Sequence, residues 1–137
     1  MVEIKLTYEG ELHCSATHTP SGNTLVTDAP VDNNGRGQAF SPTDLVATAL
    51  ASCMATVIGI VAKRKGIAVE GLTIVVRKFM SDDPPRRINR LELDLSLPLP
   101  ASHPDCKILE SAAHSCPVYH SIHPDIEVVM HWSWLDG

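Results

Sequence analysis

From Leu45 to Ala62 the chain runs through eighteen residues without a charged side chain. A helix of that kind either crosses a bilayer or is covered by protein on every side. Ala, Ser, Thr, Cys and Gly make up much of the run, where a lipid-facing helix is richer in Leu, Ile and Phe, and no aromatic belt flanks it. The expectation is a buried core helix and no membrane partner. Ser41, Pro42 and Asp44 form a helix start, and Gly66 forms a stop after Lys65. Around the helix, Ala47, Ala51, Ala55 and Gly59 fall on one ribbon of small side chains that lets another backbone approach closely. Val46, Leu50, Cys53, Val57 and Ile60 make a bulkier stripe opposite. A chain of 137 residues with one further helix and about six strands has too little structure to cover such a cylinder, which points to an obligate dimer.

The remaining elements follow from periodicity. Val2, Ile4, Leu6 and Tyr8 alternate with polar residues, as in a strand with one buried face, and Leu12, Cys14 and Ala16 give its hairpin partner. A third strand is expected over 23–27, followed by a mobile loop over 29–38, rich in Pro, Asn, Asp and Gly. Beyond the long helix, a β-branched segment over 69–79 and the alternating Leu91, Leu93, Leu95 and Leu97 flank Asp82, Asp83, Pro84 and Pro85, so these strands form an antiparallel hairpin. Pro104 opens a second helix with Leu109, Ala112, Ala113 and Cys116 on one apolar stripe, and Pro117 disrupts it. Ile126 to Trp134 alternate as a last strand. The order βββ-α-ββ-α-β describes an α+β protein, with strands gathered in hairpins, forming one domain over 1–137.

Composition narrows the function classes. Apolar residues at 44% and charged ones at 20% are globular values. Eleven Lys and Arg against sixteen Asp and Glu leave a net charge of −5, so we expect no nucleic-acid partner. Nothing in the first residues resembles an export signal, which suggests a cytoplasmic chain. No phosphate-cradling glycine loop, zincin helix or serine nucleophile elbow is present. Thiols and histidines remain. Cys14 and Cys106 read as small hydrophobes. Cys53 and Cys116 sit on the apolar stripes of the two helices, so stripe-to-stripe packing would bring the sulfurs together for redox work, with inert buried thiols as the alternative. His103, Cys106, His114, Cys116, His120 and His123 crowd one region, but their spacings match no recognised zinc site, and no metal is expected.

The run from Phe40 through Ser41, Pro42, Thr43 and Asp44 to Cys53 and Met54, together with Ala112, Ala113, His114, Ser115, Cys116, Pro117 and Val118, resembles the osmotically inducible protein C family, which includes the organic hydroperoxide resistance proteins. The resemblance implies an intertwined homodimer with two central helices packed against antiparallel sheets. It also implies thiol-dependent reduction of peroxides, particularly organic hydroperoxides but with hydrogen peroxide as a further substrate, without a cofactor, in which Cys53 matches the peroxidatic and Cys116 the resolving cysteine, with an external dithiol or lipoyl-type reductant. Family peroxidases activate the first cysteine with a Glu after the helix-start proline and an Arg in the N-terminal hairpin region. Here Thr43, followed by Asp44, occupies the Glu position and the hairpin region has no arginine, so Arg36 and His18 become candidates for an activating group. The alternative function is a non-enzymatic dimer that binds a small apolar ligand or senses redox state through its thiols.

Overall fold

A computed structural model of the chain describes residues 1–135. Among them the order is β1 (Ile4–Gly10), β2 (His13–His18), β3 (Thr24–Asp28), α1 (Pro42–Lys65), β4 (Thr73–Met80), β5 (Ile88–Pro100), α2 (Cys106–His114) and β6 (Glu127–Leu135). This is the expected α+β order. The chain divides into two compact units, and the boundary falls inside α1 between Val46 and Ala47.

The first unit holds the antiparallel sheet β1-β2-β3. Its first strand departs from the expectation of one buried face. Ile4, Leu6 and Tyr8 are 63%, 62% and 61% exposed, so alternation correctly marked the strand while its apolar side stays uncovered within this chain. The segment after β3, expected to be a mobile loop, is organised around a buried carboxylate. Asp28 is 2% exposed. Its Oδ1 lies 2.6 Å from His13 Nδ1, and its Oδ2 accepts the Gln38 N–H at 3.1 Å. A buried carboxylate without such partners is costly, and these bonds, led by that from His13, hold it below the usual carboxylate range. Between the two anchor points, a 3-10 turn at Val31–Asn33 folds the loop back on itself. A Cβ on Gly35 would stand 1.8 Å from the Ala29 carbonyl oxygen, so only glycine fits there. Composition signalled an irregular segment, and the polar anchor fixed it.

In the second unit β5 is the central strand, antiparallel to β4 and parallel to β6. The hairpin of β4 and β5 is as expected. The sheet is mixed, because β6 returns through the α2 crossover; alternation locates a strand but carries no information about its direction. On one face of β5, Leu91, Leu93, Leu95, Leu97 and Leu99 are all buried. Val76 and Ile74 stand opposite Leu93 and Leu95 on β4, and Met130, Trp132 and Trp134 stand beside Leu93, Leu95 and Leu97 on β6. The other face carries a ladder of ion pairs, exposed or partly buried. Arg77 Nη2 meets Asp94 Oδ2 at 2.6 Å, and Arg90 bridges Glu92 at 2.8 Å and Glu127 at 3.1 Å.

The helices cover the leucine face in one apolar cluster. In α1 the buried stripe is Ala47, Leu50, Met54, Ile58 and Ala62. It is rotated from the expected bulky stripe: Met54 and Ile58 go inward, while Ile60 is 46% exposed. The small ribbon does not meet a close backbone within this chain, since a Cβ on Gly59 would find nothing within 4 Å. The helix ends as its sequence dictates. Gly66 takes φ +70° and the Ile67 N–H reaches back to the Ala62 carbonyl at 2.9 Å. Of the most apolar part of α1, 28% is buried. In α2, Leu109, Ala112 and Ala113 are buried as expected.

Leu93 is fully buried in this cluster, between Val76 on β4 and Met130 on β6. Leu93→Ala is expected to lower unfolding free energy by about 2–5 kcal/mol in urea titrations followed by circular dichroism; a loss below about 1 kcal/mol would contradict the central packing role.

Candidate functional site

The leucine ladder of β5 draws α1 and α2 onto one face, and their apolar stripes bring two thiols into the same cluster. Cys53 is half-buried in mid-α1, and Cys116 is 0% exposed. Cys53 is a near enough neighbour to raise the Cys116 thiol. The route differs from stripe-to-stripe packing: Cys53 flanks the buried stripe of α1, and Cys116 stands past the end of α2. Neither cysteine is in a disulfide.

Cys116 lies two residues beyond the last residue of α2, not on the helix itself. Pro117 disfavours helical geometry at the residue before it, so the helix ends at His114 and the chain turns. The Ser115 N–H and hydroxyl both close on the Ala112 carbonyl, at 3.0 and 2.7 Å. The turn then folds over the sulfur. His120 N–H donates to the Cys116 carbonyl at 3.3 Å, and Tyr119 N–H donates to Cys116 Sγ, also at 3.3 Å. Burial pushes the Cys116 thiol above its ordinary value of 9.0. The Tyr119 amide opposes that shift, and the neighbouring Cys53 adds to it. Cys116 is therefore a protonated thiol near neutrality, with an amide already aimed at its sulfur. The Tyr119 amide had no trace in the sequence, because a backbone donor carries no side-chain signature.

The other candidates belong to the first unit. Asp44 and Ser41 form a capping box: Ser41 N–H donates to Asp44 Oδ2 at 2.9 Å, and Asp44 N–H donates to Ser41 Oγ at 3.1 Å. Thr43 Oγ1 lies 3.3 Å from the same Ser41 hydroxyl. Both side chains are thus engaged in starting α1. Arg36 is half-exposed on the anchored loop, with Nη2 3.9 Å from Asp28 Oδ1. His18 ends β2 and pairs its Nδ1 with Ser21 Oγ at 2.6 Å in the following turn. Sequence reading missed Asp28 and His13, since a polar residue at the edge of a loop reads as solvated. His13 Nε2 also lies 3.5 Å from Glu9 Oε1.

Cys14 is half-buried on β2 and Cys106 half-buried at the start of α2. Burial, together with the charges of Glu110 and Asp105, raises the Cys106 thiol. The histidines of this region are used locally. His103 Nδ1 accepts the Asp105 N–H at 3.1 Å, and His123 Nδ1 accepts the Asp125 N–H at 3.0 Å. Among the described residues no three His, Cys, Asp or Glu side chains gather as metal ligands.

Comparison with known proteins sets this geometry in context. A family model described as OsmC-like protein matches residues 35–131. A crystal structure from Psychrobacter arcticus 273-4, described as an osmotic stress induced and detoxification response protein, is 45% identical; the alignment covers 98% of this chain and 96% of that one, with a TM-score of 0.88. An organic hydroperoxide resistance protein from Legionella pneumophila shares the fold at 20% identity, 97% and 96% coverage and a TM-score of 0.77. One from Elizabethkingia anophelis does so at 18% identity, 97% and 95% coverage and a TM-score of 0.77. No curated protein matches.

Burial of Cys116 sets its titration. The thiolate ultraviolet absorbance of Cys53→Ser, less that of the double variant Cys53→Ser, Cys116→Ser, is expected to rise with a midpoint above 9.0. A midpoint at or below that value would mean the thiol is not held in its protonated form.

Proposed function

Because this chain belongs to the OsmC-like protein family, we propose that it is a thiol-dependent peroxidase that reduces organic hydroperoxides through Cys53 and Cys116. The observation that carries this reading is the pairing of a partly accessible thiol with a fully buried one inside a single apolar cluster. The thiolate of Cys53 attacks the terminal peroxide oxygen, the O–O bond breaks, and the alkoxide takes a proton and leaves as an alcohol. Cys53 is then a sulfenic acid. The Cys116 thiol condenses with it, expelling water and forming a disulfide. An external dithiol reopens the bridge and is itself oxidised. The apolar surround favours substrates with an organic substituent over hydrogen peroxide. The named relatives that resist organic hydroperoxides support the substrate class.

A homodimer is part of the same reading. The open space at Gly59, the exposed Ile60 and the uncovered Ile4, Leu6 and Tyr8 are apolar surfaces that a second copy would bury. The covered helix then has no need of a bilayer, and the reducing cytoplasm, which keeps thiols available, suits the chemistry.

Turnover of cumene hydroperoxide with dithiothreitol tests the activity. Cys53→Ser is expected to abolish it. With no reductant present, Cys116→Ser should consume about one equivalent and accumulate a dimedone-reactive sulfenic acid. Full turnover by Cys53→Ser, or none by the unaltered protein, would defeat the proposal, and the latter would favour a ligand-binding or redox-sensing dimer. Light scattering should give twice the chain mass of 14.8 kDa; a monomer in dilute solution would count against the dimer.

A further inference from the structure

The two sulfurs are unequal in a way that bears on the reductive half of the cycle. Thiol–disulfide exchange requires the incoming thiolate to approach the attacked sulfur in line with the bond that breaks, from the side opposite the leaving sulfur. Cys116 is 0% exposed and belongs to the core cluster with Leu109, Ala112 and Ala113. Its turn is closed over it by the Tyr119 amide at 3.3 Å. An attack on Cys116 would have to come through packed protein. Cys53 is half-buried on α1 and only packs against that cluster.

We infer that the external dithiol enters at the Cys53 sulfur, that Cys116 is always the leaving group, and that the Tyr119 backbone N–H is the donor receiving the negative charge that develops on Cys116. This assignment rests on the proposed peroxidase reading, which leaves the direction of exchange open. In balanced form, one reductant thiolate bonds to Cys53 Sγ, and the electron pair of the Cys53–Cys116 bond departs with Cys116 Sγ. Cys116 then takes a proton. The second reductant thiolate attacks the reductant's own sulfur in the mixed disulfide, releasing Cys53 as a thiolate and leaving the reductant as a disulfide. Two electrons pass from the dithiol to the protein.

One effect opposes this direction. A thiol held in its protonated form leaves more slowly, and burial holds Cys116 so. The amide aimed at its sulfur reduces that penalty by stabilising the charged form. Access decides the rest, because a slower departure reduces a rate while a closed path removes it.

The test uses the unaltered protein, oxidised with diamide so that its outcome does not depend on peroxide turnover. A brief pulse of a monothiol, 2-mercaptoethanol, is quenched with N-ethylmaleimide, and the peptides carrying Cys53 and Cys116 are read by mass spectrometry. The expected result is mercaptoethanol on Cys53 and maleimide on Cys116, in at least tenfold excess over the reverse pattern. Tyr119→Phe, which keeps the amide, should give the same pattern. Equal labelling, the reverse pattern, or failure of diamide to link the two cysteines would overturn the inference. Correct labelling in a protein that does not consume hydroperoxide would instead remove the peroxidase reading and leave the direction of exchange standing.

Discussion

The packing of two helical stripes on the leucine face of β5 is the interaction on which the second unit depends. Each fully buried leucine contributes on the order of 1.5–3 kcal/mol through surface removed from water, and β5 presents several in alternation. Nothing else in the unit has comparable reach. β4 and β6 join β5 by hydrogen bonds, and the ion pairs on the opposite face are exposed enough to contribute little. The thiol pair is a consequence of this packing. Cys53 and Cys116 lie far apart along the chain, and they meet because both belong to surfaces that the leucines pull together.

Much of this arrangement is legible from the amino-acid sequence. The bounds of α1 follow from Ser41, Pro42 and Gly66, whose roles depend on local backbone chemistry alone. The β5 ladder follows from its alternating leucines, and the inward face of α2 from Leu109, Ala112 and Ala113. The rotation of α1 was not legible, because a helix that is apolar all round has no polar side to fix its phase. Met54 and Ile58 therefore take the centre of the inner stripe, Val57 packs at its side and Ile60 turns outward. The direction of β6 was equally hidden, since its alternation reads the same both ways.

The first unit shows the opposite limit. Pattern reading found its strands but assigned them a buried face that the chain itself does not provide. It also marked the segment after β3 as a mobile loop. There the organising element is a carboxylate, Asp28, held by His13 and the Gln38 amide. Hydrophobic periodicity has no means of registering such an anchor. The same holds at Cys116, where the group nearest the sulfur in function is a main-chain N–H.

The parallel pairing of β6 makes the two strand pairings of this sheet unequal in chain entropy. The hairpin of β4 and β5 closes through a short turn and loses little chain entropy, whereas β6 can dock only after the chain has travelled out along α2 and back. Cys116 sits within that long excursion. Cys116 therefore belongs to the loop whose closure costs the most chain entropy in the second unit, so the buried sulfur is tied to the least local pairing of its sheet.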